Sequence, residues 1–159
     1  MTSIRKLALT GHVTSSVGWL GAVATFLALA VAGLISKDVQ RVRAAYLAME
    51  LITWFIIVPL CVASLLTGVV SSLVSTWGLF RHYWVLIKLL LTVFATILLV
   101  VHTKPIGYVA SVVAKTTISS GDLRAVRIQI VADAGAALLV LVVNTTLAVY
   151  KPRGVTPFH

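Results

Sequence analysis

Four long runs of apolar residues, separated by polar or basic breaks, dominate the pattern of the chain. The runs cover about residues 7–35, 44–74, 83–102 and 128–150. A helix needs about 20 mainly apolar residues to cross a hydrocarbon core about 30 Å thick. The pattern therefore predicts four transmembrane helices, with Pro59 as a candidate kink in the second and Lys104 and Pro105 closing the third.

The breaks predict the connections between these helices. In the long connection 103–127, residues 106–115 fit a short interfacial helix and 119–122 fit a loop followed by a helix start. Four spans put both termini on one side of the membrane, here called side A. The connections 36–43 and 103–127 then lie on the other side, side B.

Composition supports the membrane assignment. The chain has 60% hydrophobic and 11% charged residues and a mean hydropathy of +1.07, against about 45–50% apolar residues in soluble domains. The predicted fold class is all-α, a polytopic membrane protein with one four-helix transmembrane domain over residues 1–159. The first run is far longer than the core of about 7–15 residues in a signal peptide, so we expect a retained helix.

Basic residues are spread over both sides of the predicted bundle. Side A carries five and side B seven, so the positive-inside rule predicts that the connections 36–43 and 103–127 are cytoplasmic. The formal net charge of +9 fits anchors beside anionic headgroups. We therefore predict the lipid bilayer, and not nucleic acid, as the partner.

Each apolar run also carries an ionisable residue. These are His12 in the first run, Glu50 in the second, Lys88 and His102 in the third, and Asp133 in the fourth. Charges in a membrane span are costly and usually mark an interior or functional site. The direction of the chain places His12 and Lys88 near side A, and Glu50, His102 and Asp133 near side B.

Helical spacing places several of these residues on polar stripes. Lys88 and His102 share one face of the third helix but are separated by about 21 Å along its axis. The stripes are Lys88, Thr92, Ala95, Leu99 and His102 in the third run; Glu50, Trp54, Ile57, Cys61, Ser64 and Gly68 in the second; and Asp133, Ala137, Val140 and Asn144 in the fourth. In the first run, Gly11, Ser15, Gly18, Ala22, Thr25, Ala28 and Ala32 predict a close helix-packing face.

The side A residues allow two interpretations. His12 can ligate a haem iron, with Lys88 as a propionate partner or second ligand. The alternative is an interfacial histidine beside a lysine that extends to the headgroups. His12 and His102 lie too far apart to ligate one iron.

The side B residues also leave two interpretations open. Glu50, His102 and Asp133 can bind a divalent metal cation or relay protons, because two carboxylates and an imidazole supply suitable ligands. Alternatively, Glu50 and Asp133 form structural contacts with Lys104, Arg127 or nearby backbone. The single cysteine, Cys61, excludes an intramolecular disulfide and a cysteine-based zinc site.

Three short segments carry a family resemblance. They are Gly11-His12-Val13, the stretch Pro59 to Gly68 with Leu66-Thr67-Gly68, and Trp84 to Lys88 followed by His102. The chain resembles an uncharacterised family of bacterial four-helix membrane proteins, which is similar in layout to the copper-resistance D-type proteins and the HemJ-type protoporphyrinogen oxidase. The resemblance implies a bacterial inner membrane protein linked with haem b or copper, with His12, Lys88 and His102 as cofactor-binding candidates.

Three hypotheses follow, each from a different class of protein. The first is a haem-binding membrane protein with a redox or porphyrin-related role. The second is a small ion or metal permease, copper-like in its cargo, that uses Glu50, His102 and Asp133. The third is a non-catalytic subunit that assembles with itself or with another membrane protein. The sequence contains no phosphate-binding loop or nucleophile motif of a soluble enzyme.

Overall fold

The computed structural model describes residues 3–75, 81–115 and 123–151, and its regular elements there are all helices. They are α1 (Ser3–Ile35), α2 (Val39–Ile52), a π-helical segment (Thr53–Ile57), α3 (Val58–Leu73), α4 (Tyr83–Lys115) and α5 (Arg124–Tyr150). Since α2, the π-helical segment and α3 form one continuous stretch, four helices are long and apolar enough to cross a membrane. The all-α, four-helix prediction is confirmed, and the membrane sides of the termini stay a prediction.

Helix α4 extends well beyond the predicted end of the third span. Pro105 lies inside α4, which continues to Lys115, so both the predicted closure at Lys104 and Pro105 and the separate interfacial helix over 106–115 are wrong. Proline removes one backbone hydrogen bond, but tertiary packing overrides this local preference. Ile106, Val109 and Val113 are buried against the bundle on the far side of the proline.

At most of their ends, the remaining helices differ from the predicted spans by only a few residues. Helix α1 begins at Ser3, α5 begins at Arg124, and the second spanning helix starts at Val39. The loop predicted over 119–122 lies outside the described residues.

The π-helical segment changes which face of the second helix is buried. Its wider turn lies just before Pro59, where the helix must already accommodate a missing N–H. Thr53 and Ile57 are buried, whereas Trp54 is 54% exposed. The polar stripe predicted for the second run is therefore correct from Ile57 onward. It is wrong at Trp54, because Thr53 takes that place in the interior.

Small residues of α1 allow it to pack closely on α3. A Cβ added at Gly18 would lie 3.2 Å from Leu60 Cδ1, and one added at Gly11 would lie 3.5 Å from Thr67 Cγ2. This confirms the predicted packing face in its first half. Its second half is wrong at two positions, since Thr25 and Ala28 are exposed.

A buried arginine joins three helices near the start of α5. Arg127 is 1% exposed, its Nε donates to Tyr46 Oη at 3.1 Å, and its Nη2 donates to the Gly33 carbonyl oxygen. The guanidinium also lies 5.6 Å from the centre of the Tyr46 ring. Arg127 thus connects α1, α2 and α5 from the interior, and assigning it to a connecting loop was wrong.

Contacts across the bundle show that consecutive spanning helices run antiparallel. Gly11 and Gly18 of α1 approach Thr67 and Leu60 of α3 in reverse order. Asn144 of α5 meets Thr92 of α4, and Asp133 meets His102. We call the end where α1 and α4 begin the A end, and the end where they finish the B end.

We expect Gly33→Ala to destabilise the bundle at the B end. The added Cβ would lie 2.9 Å from Tyr46 Cε2, which forces the ring or α1 to shift and costs about 1–3 kcal/mol. Unfolding of the purified protein by SDS in mixed micelles measures the effect. The matched control is Gly21→Ala, because a Cβ there meets nothing within 4 Å. Equal stabilities of the two variants would contradict close packing at Gly33.

Candidate functional site

A partly open cavity of about 100 Å³ lies between α1, the π-helical segment, α4 and α5. Its wall is aliphatic or aromatic apart from Thr53, His102 and Asp133. A concave apolar space with a few converging polar groups is typical of a binding site. The volume is below the roughly 300–1,000 Å³ of most small-molecule pockets, but it is sufficient for a few water molecules or a small ion.

His102 and Asp133 meet at the wall of this cavity. His102 Nε2 lies 2.8 Å from Asp133 Oδ2, and the side chains are 21% and 34% exposed. The antiparallel packing of α4 on α5 brings together two residues that are far apart in sequence. Of the residues predicted at side B, the structure therefore brings this pair into direct contact.

The contacts of the His102 ring fix its protonation pattern. His102 Nδ1 lies 2.6 Å from the Leu98 carbonyl oxygen, and a carbonyl oxygen can only accept, so Nδ1 carries a hydrogen. His102 Nε2, the other ring nitrogen, is the atom that lies 2.8 Å from Asp133 Oδ2.

The contact between the two side chains is close, but it is not an aligned hydrogen bond. Asp133 Oδ2 is buried and accepts no aligned hydrogen bond from the described residues. The pair is therefore an ionisable contact without the directional geometry of a hydrogen bond.

Glu50 does not join this pair. Its carboxylate lies near Gly107, where an added Cβ would lie 3.8 Å from Glu50 Oε1. Gly107 is five residues beyond His102 on α4, about 7.5 Å toward the B end. Among the described residues, no group of three or more His, Cys, Asp or Glu is placed to hold one metal ion. The three predicted metal ligands therefore do not form one cluster.

At the A end, His12 faces α3. Its Nδ1 lies 3.1 Å from the Ser64 carbonyl oxygen and 3.4 Å from Thr67 Oγ1. The ring packs directly on Gly68, where an added Cβ would lie 2.9 Å from His12 Cε1. Gly68 is thus the residue that lets the imidazole enter the space between α1 and α3.

Lys88 lies in the same region. Its Nζ is 5.8 Å from the centre of the Trp84 ring, and its charge acts on His12 and is itself affected by Lys151. This agrees with the predicted placement of His12 and Lys88 at one depth. The region contains positive charge, an imidazole and several hydroxyl groups.

The residues at the cavity do not fit haem b. Both ring nitrogens of His102 are already engaged, by Leu98 and by Asp133, so neither offers a free lone pair to iron. The cavity is also smaller than the roughly 300–1,000 Å³ that small-molecule ligands occupy. Haem ligation by His12 with Lys88 stays a prediction.

Sequence reasoning found the depth of these residues but missed part of the cavity wall. Thr53 was overlooked because the π-helical segment shifts the interior face by one position. Trp19 is 3% exposed and lines the cavity. Its position beside the small residues of α1 was the available signal.

Comparison of the chain with models of protein families, with curated proteins and with solved structures finds no match. The resemblance to the copper-resistance D-type and HemJ-type proteins therefore stays a prediction. The function must be inferred from the geometry of the bundle.

Double-mutant cycles test whether His102 interacts with Asp133 and whether Glu50 does not. We expect His102→Ala and Asp133→Ala to be coupled by about 0.5–1.7 kcal/mol, the range of interactions between polar side chains in membrane bundles and of contacting pairs in general. SDS unfolding of the single and double variants measures this coupling energy. The control cycle, Glu50→Ala with Asp133→Ala, is expected to be additive within about 0.5 kcal/mol. Additivity in the first cycle would show that His102 and Asp133 do not interact.

Proposed function

We propose that the protein is a proton-coupled permease for a small cation, with His102 and Asp133 as its proton-binding pair. The observation that carries the proposal is their 2.8 Å contact at the wall of an apolar cavity inside the bundle. Ionisable side chains at such positions are costly, and they are the usual proton-binding groups of pumps and transporters.

The charge of the pair supplies a physical reason for coupling. With its shared proton the pair is neutral, and after loss of that proton the cavity wall carries one negative charge. An uncompensated charge among apolar side chains is strongly unfavourable. A cation that enters the cavity compensates this charge, so cation entry and proton release favour one another.

The size and chemistry of the cavity limit the cargo. A volume of about 100 Å³ holds one small cation with a few water molecules, since a single water needs only about 10–15 Å³ of such space. Thr53 Oγ1 and the Asp133 carboxylate supply oxygen ligands, which suit hard cations. Thr53 Oγ1 donates its hydrogen to the Met49 carbonyl oxygen at 2.8 Å, so its lone pairs are available to a cation.

The test is proton flux into liposomes that contain the purified protein and a trapped pH-sensitive dye. We expect Asp133→Asn and His102→Gln to lower cation-dependent proton flux by at least about tenfold, because each removes one partner of the shared proton. The measurement is repeated with Na⁺, K⁺ and a divalent cation outside the vesicles to identify the cargo.

Asp38→Asn is the matched control for Asp133→Asn. Asp38 caps α2, where its Oδ1 accepts from Gln40 N at 2.9 Å, and asparagine caps helices equally well. Its flux should equal that of the wild type. A folded Asp133→Asn variant with wild-type flux, or wild-type vesicles no faster than empty ones, would refute the permease proposal and favour a non-catalytic subunit.

A further inference from the structure

Acidic residues are absent from the segments of the chain that form the A end. The chain has four of them, Asp38, Glu50, Asp122 and Asp133, so residues 1–37, 51–121 and 134–159 contain none. Those at 38, 50 and 133 lie in the B half of the bundle, and Asp122 lies outside the described residues. No described residue of the A half therefore carries a side-chain carboxylate.

Basic side chains from three helices converge at the A end. The charge of Lys88 on α4 acts on His12 of α1. The charge of Lys151, which caps the end of α5, acts in turn on Lys88. Like charges repel, and apolar surroundings screen this repulsion less than water does. The three groups therefore form a region of positive potential.

The register of α3 on α4 agrees with this convergence. Cys61 Sγ of α3 lies 3.2 Å from Thr96 Oγ1 of α4. From this contact toward the A end, Gly68 is seven residues along α3 and Lys88 is eight along α4, which is about 10–12 Å on either helix. The His12 ring packs directly on Gly68. Packing and electrostatics thus place Lys88 in the same region as His12.

The ammonium group of Lys88 has no counter-ion among the described residues. Its Nζ contacts no carboxylate and no hydrogen-bond acceptor there, and it lies 5.8 Å from the centre of the Trp84 ring. An ionisable group in a membrane span usually pairs with an opposite charge or extends to the headgroups. Since the described A half provides no carboxylate, an anion from outside the chain is the natural partner of Lys88.

The His12 ring is held so that one nitrogen remains for such an anion. Its Nδ1 lies 3.1 Å from the Ser64 carbonyl oxygen, which can only accept, so Nδ1 carries a hydrogen. Its Nε2 has no hydrogen-bond partner among the described residues. Once it carries a proton, Nε2 donates as well, and charged donors form the stronger hydrogen bonds to anions.

We propose that Lys88 Nζ and His12 Nε2 bind a phosphate group at the A end, with Lys151 adding positive potential. Lysine is a common phosphate ligand, and basic pockets between membrane helices bind anionic headgroups. The phosphate group comes from an anionic phospholipid of the adjacent leaflet or from free phosphate. Neither Lys88 nor His12 lines the cavity of His102 and Asp133, so the site does not depend on the proposed cation transport.

The test is a lipid titration of the purified full-length protein, followed by native mass spectrometry. The wild type should bind phosphatidylglycerol more tightly than phosphatidylcholine. In Lys88→Gln we expect the dissociation constant for phosphatidylglycerol to rise by at least about tenfold, because a hydrogen bond to a charged group is lost. Lys88→Arg, which keeps the charge, should bind like the wild type, and His12→Gln should bind more weakly.

Lys6→Gln is the matched control for Lys88→Gln. Lys6 lies near the start of α1 at the same end and is exposed, so its loss changes the net charge equally. An exposed charge contributes little to a specific contact, and the dissociation constant should change by less than about twofold.

Inorganic phosphate distinguishes the two sources of the ligand. If added phosphate displaces phosphatidylglycerol from the wild type, the site takes free phosphate, and if it does not, the site is specific for the lipid headgroup. Equal losses of affinity in Lys6→Gln and Lys88→Gln, or a wild type that prefers neither phosphatidylglycerol nor phosphate, would overturn the site. If Lys88→Gln does not fold, His12→Gln decides, and wild-type affinity in that variant would overturn the site as well.

Discussion

A polar group inside a bundle of apolar helices must find its partner within the protein, because hydrocarbon offers none. This constraint accounts for the placement of nearly every interior polar contact here. Arg127 bonds to Tyr46 and to the Gly33 carbonyl oxygen, and Asn144 bonds to Thr92. The interior contacts thus connect different helices, and they fix the depth at which α1, α4 and α5 meet.

The same constraint makes the few incompletely satisfied groups informative. Asp133 Oδ2 lacks an aligned hydrogen bond and Asn144 Oδ1 lacks a donor among the described residues. Both side chains belong to α5 and lie on the face that packs on α4. Ser71 Oγ is a third such atom among the described residues. Asp133 Oδ2 and Asn144 Oδ1 are the two that lie next to the cavity or one turn beyond it.

The sequence was sufficient for the number of helices and the depth of the ionisable residues. Each apolar run is long enough to span a membrane, and the alternating direction of the chain puts Asp133 and His102 at one depth. The end of α4 could not be predicted, because helix continuation past Pro105 depends on packing with distant residues. Burial of Arg127 likewise depends on Gly33 and Tyr46, which are remote in sequence.

Helical periodicity failed where the backbone itself departs from 3.6 residues per turn. A regular helix drawn backward from Ile57 puts Trp54 and Glu50 inside, whereas the π-helical segment puts Thr53 and Met49 there. Nothing in the residues of that segment signals the wider turn, apart from Pro59 just beyond it. Glu50 does not line the cavity with His102 and Asp133, and it lies near Gly107, five residues nearer the B end than His102.

The wall of the cavity carries a single carboxylate, that of Asp133. A wall with two carboxylates would need two compensating charges to become neutral, whereas the present wall needs one. Under the proposed function, this single carboxylate gives an exchange ratio of one proton for one positive charge at the cavity.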